Sequence, residues 1–600
     1  MRTKLIPIKK LSCWLPVLVF VLSLQLFAVG DEKDKNDKPI DLDKTEESRV
    51  LHFNSRNEYN QYRFNQYLTN PDRGVYFNLA FPVPSLLQGT VDMQKLRSSF
   101  RFHLIDPDDK RLTRALLMGV GHFVYGASSY WIRQDVNAED WEFHFNWKEQ
   151  SKRIFQLQGV RFDSNTFGFN WTHSLAGALY YNYARTNNLN KLESFAYTFT
   201  SSLLWETFVE FKEVLSVNDM ITTPMGGISI GESMFQLGRY FRSQKPTAFN
   251  QVARFLSNPV MFLNDFLDRK NYPNQYAQDA NDYWHDIRLY LGSRFDSASG
   301  FSNSLFRVGF QSQLINLPEY GTPGISNYLI QDTLLTEFNI GLVMNKQGIY
   351  GTDIFAKSVL GGYFFQNIRD ASGQNEDDSG RFRNPYGLGT PRSGSPADER
   401  HGYSLFIGAA TAFDLVQNKA KSLSENERDH EDKYTIINLI GPTVDFTFFR
   451  KNLQIRFVSD AYANFALMHS QAFKAYSDVY PVGTNIKCTL RDYNYYYALG
   501  VTLSSLLQVH FSNFELKGRL IYHYLDSIEG LDRFQKRIQL DDFDLKDSRR
   551  IYHLSIGYRL PHMPVQLLLG MESINRWGSV KDFTHRSDER RSYFQVNYLL

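Results

Sequence analysis

Cysteine is nearly absent: Cys13 and Cys488 are the only two among 600 residues. Cys13 lies in the N-terminal apolar run, so a chain that loses that run keeps one thiol and no internal disulfide. An exported domain without disulfides must draw its stability from size or from a membrane. An excess of charge of one sign is also missing. Lys plus Arg number 66 against 64 Asp plus Glu, and a net +2 leaves no electrostatic footprint for nucleic acid. After residue 30 no stretch offers the ~20 uncharged apolar residues of a spanning helix. Thr113 to Ile132 comes closest, and it carries His122 with several Gly and Ser. There is no H-E-x-x-H, C-x-x-C or Walker loop, so the common zinc-protease, dithiol and nucleotide signatures are excluded.

What is plentiful is aromatic residue, at 15% of the chain with Phe and Tyr dominating. Aromatic-rich yet net hydrophilic composition fits a membrane β-barrel, which needs aromatic girdles and no long apolar helix. The N-terminus reads as a secretory signal. Arg2, Lys4, Lys9 and Lys10 precede the apolar run Leu11 to Phe27, and Ala28-Val29-Gly30 supplies small residues for cleavage. The expected organisation is a signal peptide (1–30), a disordered charged leader (31–50), an unassigned segment (51–110), a helical domain (111–270) and a barrel (284–600).

From Trp284 onward the pattern has period two. In one stretch Tyr552, Leu554, Ile556 and Tyr558 share a face while His553, Ser555, Gly557 and Arg559 share the other. Soluble sheets alternate as well. Charges in mid-strand, segments of about ten residues, and a closing run to Leu600 favour a barrel with a wet lumen. Outer-membrane barrels commonly end on an aromatic; Leu600 departs from that. Alternating segments start near residues 285, 303, 333, 353, 401, 435, 453, 494, 513, 550, 564 and 591. The fold class is therefore α+β, an N-terminal helical domain followed by an antiparallel transmembrane barrel of about twelve strands, the even number such barrels favour.

Loop lengths then set the topology. Residues 578–590, 527–548, 470–491 and 415–433 read as long loops; Pro561 to Met563, Ser512-Asn513 and Arg450 to Asn452 read as short turns. That alternation puts the C-terminus in the periplasm of a cell outer membrane. It breaks at 369–400, which is long where a short turn is due. Membrane lipid and the outer-membrane assembly machinery are the expected partners. His510, His523 and His553 fall on the polar faces of strands and are expected to line the lumen.

In the helical domain the unusual chemistry is acidic. Glu206 and Glu210 lie four apart, so they share a helix face inside an apolar, aromatic stretch. Like charges there are costly unless a proton, a cation or a His joins them. His173, Asp219 and Glu232 are candidate neighbours, with Arg185 and Arg239 as counter-charges. His173, Glu206, Glu210, Asp219 and Glu232 are the candidate catalytic set, for acid–base work by a raised carboxyl. His173, Glu206, Glu210 and Glu232 are the candidate ligands should a divalent metal bind. No other cofactor is expected, and an interhelical polar network is the plainest account of the same residues. Gly227-Ile228-Ser229-Ile230-Gly231 fits the G-x-S-x-G pattern, but a loop-like stretch precedes it where a nucleophile elbow needs a strand. Its glycines are expected to allow close helix packing.

His173-Ser174-Leu175-Ala176-Gly177, Tyr180-Tyr181, Ala184-Arg185, Trp205-Glu206, Glu210, Ser216, Asp219, Thr223-Pro224 and Gly231-Glu232 together resemble an uncharacterised bacterial domain-of-unknown-function family of envelope proteins, many with a barrel-like C-terminus. The matched stretch is roughly 163–245, and Ser174 stands where that family often has Pro. The resemblance implies location and no activity. Two functions stay open: a non-enzymatic barrel with a periplasmic or plug-like helical domain, acting in envelope transport or organisation, and an envelope enzyme acting on lipid or cell-wall material. A third, adhesion through the long outer loops, follows from their length alone.

Overall fold

The computed structural model describes residues 110–134, 143–163, 165–268, 284–297, 305–315, 320–321, 323–330, 335–346, 348–369, 400–419, 431–480, 489–528 and 543–600. The expected signal peptide, the charged leader and the segment 51–109 lie outside these residues, as does most of the long loop 369–400.

Twelve strands close into an antiparallel barrel: β1 (Trp284–Asp296), β2 (Leu305–Ile315), β3 (Leu335–Asn345), β4 (Gly348–Arg369), β5 (His401–Lys419), β6 (Glu431–Arg450), β7 (Leu453–His469), β8 (Tyr495–Phe511), β9 (Phe514–Ser527), β10 (Leu545–Arg559), β11 (Val565–Val580) and β12 (Phe583–Leu599). Each pairs with the next, and β12 returns to β1 with Leu599 opposite Arg288. A short strand, Gly324–Ile330, pairs with the far half of β4 beyond the reach of β3. Tight turns join β6–β7, β8–β9 and β11–β12, with Lys451, Ser512 and Lys581 in left-handed conformation. Such turns match the twist of the strands they connect.

The alternation sorts residues as barrel physics demands. Outward positions such as Leu503, Leu507, Leu554, Ile556 and Leu569 are exposed and apolar. Inward positions carry charges, buried and paired across the lumen between strands that are not neighbours. Arg288 of β1 meets Glu515 of β9 at 2.9 Å, Lys357 of β4 meets Asp460 of β7 at 2.7 Å, and Arg549 of β10 forks Asp432 of β6. His523 and His553 also point inward.

One expected loop is instead strand. Residues 578–590 belong to β11 and β12, whose hairpin turns at Lys581. Outward Thr584, Arg586, Asp588 and Arg590 are as polar as inward Glu589 and Arg591, so no alternation marks this stretch. The wall here extends past the apolar belt. Several other strands likewise begin earlier than expected, among them β6 at Glu431 and β10 at Leu545.

The lumen is closed towards both ends. A helix from the β7–β8 connection, α8 (Gln471–Val479), inserts Ala472 and Phe473 among inward Tyr434, Ile436, Met468, Tyr496 and Val580. Towards the end holding the C-terminus, Trp284, Tyr320, Leu335, Phe364 and Phe406 form a second apolar cluster.

Among the described residues seven helices precede the barrel: α1 (Leu112–Gln134), α2 (Trp147–Phe155), α3 (Phe167–Arg185), α4 (Lys191–Leu204), α5 (Val217–Ser243), α6 (Ala248–Ser257) and α7 (Pro259–Leu267). A π-helical turn, Trp205–Val209, extends α4. The centre is the crossing of α3 and α5, which glycine permits. A Cβ on Gly177 would fall 1.8 Å from the Thr223 carbonyl oxygen, and one on Gly231 would strike the Tyr181 ring. Gly227 packs on the Gly177 backbone, so the G-x-S-x-G glycines serve helix packing, as expected.

This helical block rests against the outside of the wall. Phe162, Phe167 and Ile230 pack with Ile354, Ala356, Phe413, Leu415, Ile437, Phe465 and Leu467, and with Tyr495 and Tyr497. Those strand residues share the outward face, since Phe413 pairs with Ala356 and Ile437, and Ile437 with Phe465. At the C-terminal end of α5, Leu237, Tyr240 and Phe241 pack on outward Ile287 and Phe310. The contacts follow the inter-strand ladder from β1 to β8, covering roughly two thirds of the strands on one flank. None of the helices from α1 to α7 enters the lumen.

Candidate functional site

The polar centre of the block is built where three chain segments meet. A two-residue parallel pairing, Val160–Arg161 with Leu215–Ser216, lays the start of α5 beside the extended segment that carries Asp163. Ser216 caps α5 by accepting from the Asp219 backbone N–H. The π turn then swings Glu206 inward, and its Oε2 accepts from the Ser216 backbone N–H at 3.0 Å. Such turns relieve one residue of helical register and recur at functional sites.

Three buried carboxyl groups result, from Asp163, Glu206 and Asp219. Asn218 links them. Its Nδ2 donates to Asp163 Oδ2 at 3.0 Å, Asp219 Oδ1 at 3.0 Å and Asn170 Oδ1 at 3.1 Å, while its Oδ1 accepts from the Asp163 backbone N–H. The Ser216 hydroxyl donates to Asp163 Oδ2 at 3.0 Å. From the barrel wall, Tyr497 donates to the Asp163 carbonyl at 3.0 Å, and Asn170 donates to both the Tyr495 and Tyr497 hydroxyls at 2.7 Å. The cluster is therefore welded to β8.

His173 stands at its edge, with Nδ1 3.5 Å from Asp219 Oδ1 and 3.1 Å from the Phe169 carbonyl. Its side chain keeps 16% of its surface exposed, which makes it the member nearest the outside. Arg153 is fully buried nearby but spends its donors on backbone carbonyls of Glu206, Thr207, Glu210 and Glu213. It screens the carboxylates without forking one.

Electrostatics follow from that shortage of cations. Burial, and then the Glu210 charge, pushes the Glu206 carboxyl well above its ordinary range. Burial, and then Asp163 and Glu206, does the same to Asp219. For Asp163 burial pulls upward too, but hydrogen bonds from Asn218 and the Asn165 backbone outweigh it and hold it low. One fixed carboxylate therefore sits beside two carboxyls that favour the proton. The arrangement can store a proton and pass it towards His173.

Of the five expected residues, His173, Glu206 and Asp219 converge. Glu210 lies at the end of the π turn, where the Trp205 indole donates to its Oε1 at 3.0 Å. Glu232 belongs elsewhere. Further along α5 it takes a forked pair from Arg185 at 2.9 and 3.2 Å, the Tyr181 hydroxyl at 2.7 Å and Gln236 at 2.6 Å, all buried. Burial pulls its carboxyl upward, yet Arg185, with Lys191, holds it down to about 2. That is an ion-pair lock between α3 and α5. The other expected counter-charge, Arg239, lies over the Phe235 ring. Asp163, Asn170, Asn218 and Tyr497 were not anticipated. Among the described residues no group of three or more His, Cys, Asp or Glu has an arrangement that would hold a metal ion.

Residues 159–260 match the model of a domain of unknown function, DUF3943, which takes in α3, α4, α5, α6 and the first residues of α7. No curated protein matches the chain. Among solved structures, the outer membrane protein OmpT of Vibrio cholerae is similar at 8% identity, over 53% of this chain and 98% of that one, with a TM-score of 0.17. An anion-selective porin from Comamonas acidovorans gives 6%, 53%, 100% and 0.18. The beta domain of the Bordetella autotransporter BrkA gives 7%, 53%, 99% and 0.18. The architecture of the barrel is argued from its own strand pairing and outward apolar belt.

Proposed function

We propose that this outer-membrane β-barrel protein works in envelope organisation, with the barrel as a closed anchor and the helical block as its working part. The observation that carries this is the obstructed lumen, in which a cavity of about 630 Å³ remains beside Arg519, His553 and Glu572. Buried ion pairs bridge the lumen between distant strands, and apolar clusters stopper it towards both ends, one of them formed around Phe473. A pore needs a continuous polar path. The family match also falls on the block and not on the barrel. Reconstituted into planar bilayers, the full chain is expected to show no stable conductance steps. Steady porin-sized steps would overturn the anchor and favour transport.

A second reading has one observation in its favour. His173 meets Asp219 beside two carboxyls raised by burial, which is a pairing suited to acid–base chemistry on a lipid or cell-wall substrate. Glu206→Gln tests it. A folded variant that loses the phenotype of the deleted gene supports the enzyme, and a folded variant that complements fully removes it. In either reading the chain is exported behind a cleaved signal, is folded by the outer-membrane assembly machinery and keeps its C-terminus in the periplasm. Protease added to intact cells is expected to spare a C-terminal epitope tag.

A further inference from the structure

We propose that the helical block beds sideways into the bilayer hydrocarbon, so that its outer helices face acyl chains as the bare barrel wall does. Three independent features carry this. The first is position. The block covers outward residues such as Ile354, Phe413 and Phe465, the same face that is bare and apolar at Leu503, Leu554 and Leu569. Helices that replace lipid on one flank of the belt have lipid as their next neighbour.

The second is surface chemistry. Among the described residues from 165 to 268, exposed charge is sparse: Lys245 and the Glu193 side chain at the start of α4, 37% exposed. The exposed faces of α6 and α7 present Phe249, Val252, Phe255, Leu256, Leu263 and Phe266. On the 23-residue α1, Leu116, Leu117, Val120 and Val124 face out with Thr113, Gly121 and Ser128 and without a charged side chain. A helix side in water carries Lys and Glu opposite its apolar stripe. Large contiguous apolar surface is rare on soluble proteins and marks contact with protein or membrane. Charges lie inside instead, as in the Arg185–Glu232 fork.

The third is backbone satisfaction. In hydrocarbon an uncapped helix N-terminus leaves N–H groups that water cannot reach. Every helix from α3 to α7 has a side-chain cap, from Thr166, Asn190, Ser216, Thr247 and Asn258 in turn. No described helix is long and apolar enough to cross the membrane. The block is thus a wedge held against the barrel, with Lys245 in the α5–α6 link marking the headgroup level.

The test does not depend on whether the lumen conducts. In a Cys488→Ser background, single cysteines at Leu117, Val252 and Phe255 are spin-labelled in proteoliposomes and probed with oxygen and with a water-soluble nickel chelate. Collision with oxygen over nickel, as at a Leu503 control and opposite to an Arg586 control, is the expected result. Nickel dominance overturns the proposal in favour of a watery face, and shielding from both reagents overturns it in favour of a protein partner. Should the labelled chains misfold, carbene photolabelling from the lipid phase on the unaltered protein decides. Tagged peptides from 112–134 and 248–267 are expected, and their absence beside tagged β9 and β10 peptides sinks the idea.

Discussion

The barrel and the helical block both bury charge and turn apolar side chains outward, yet they neutralise their charge in opposite ways. In the lumen several arginines reach two carboxylates each. Arg288 reaches Asp286 and Glu515, Arg576 reaches Asp432 and Glu589, and Arg591 reaches Glu572 and Glu589. The block balances Glu232 with Arg185, Asp265 with Arg242 and Arg254, and Asp268 with Arg111 and Arg114, yet it also holds a cluster of three carboxyls whose nearest arginine bonds to backbone. A balanced, redundant network serves stiffness, because any single loss can be shared. A cluster left short of cations must hold protons, and groups that must hold protons are candidates for chemistry. The contrast marks the carboxyl cluster as the candidate seat of function and the lumen network as scaffold.

The contrast breaks most visibly at the α3–α5 lock. Glu232→Leu removes the forked carboxylate and leaves the Arg185 guanidinium buried without it, a loss expected to cost about 3–5 kcal/mol. Limited proteolysis should then cut the block while the barrel keeps its heat-dependent shift in detergent gels. The lumen counterpart, Glu589→Gln, should cost clearly less, since Arg576 keeps Asp432 and Arg591 keeps Glu572. Equal losses at the two sites would end the comparison. Gly177→Val ranks next. Its side chain would meet the Thr223 carbonyl, and forcing the helices apart is expected to cost about 1–3 kcal/mol. Urea titration with a fluorophore on α3 would read it.

The barrel was legible because period two survives wherever one face meets lipid and the other a polar lumen. Where the wall leaves the lipid, as from Thr584 to Arg590, both faces are polar and the strand reads as loop. The site was half legible. His173, Glu206 and Asp219 announce themselves as polar residues on apolar helices. Asp163 was hidden because only the pairing of Val160–Arg161 with Leu215–Ser216 brings it there. Glu232 was misplaced because the residues before Gly227 read as a loop; they belong to α5 instead, and at ~1.5 Å per residue Glu232 sits about 20 Å along that helix from Asp219. The docking of the block outside the barrel was invisible for a related reason. Helix α5 is buried on nearly every side, so periodicity cannot tell a neighbouring helix from a barrel wall.

The smallest expected effect is the sharpest test of the unbalanced cluster. Glu206 and Asp219 are raised when folded, so the folded block binds more protons than the unfolded chain above the ordinary carboxylate range. Their stabilising effect is present at low pH and is lost as pH rises through the raised values. Asp163 and Glu232 act in the opposite sense. They stabilise above the ordinary carboxylate range and fail as pH falls, for Glu232 towards about 2. Between mildly acid and alkaline pH, therefore, the first pair should tilt the stability of the block downward with rising pH, while His122, lowered by burial, tilts it upward through the ordinary histidine range. Glu206→Gln keeps the shape and a hydrogen-bonding carbonyl while removing the proton site. It is expected to change stability by about 1 kcal/mol or less in mild acid and to flatten the slope above it. Urea midpoints of block proteolysis across a pH series measure this, with the heat-dependent barrel shift as the internal constant. A slope unchanged in Glu206→Gln and in Asp219→Asn would mean that the cluster is neutralised by some cation after all, and the distinction between scaffold and site would fall with it.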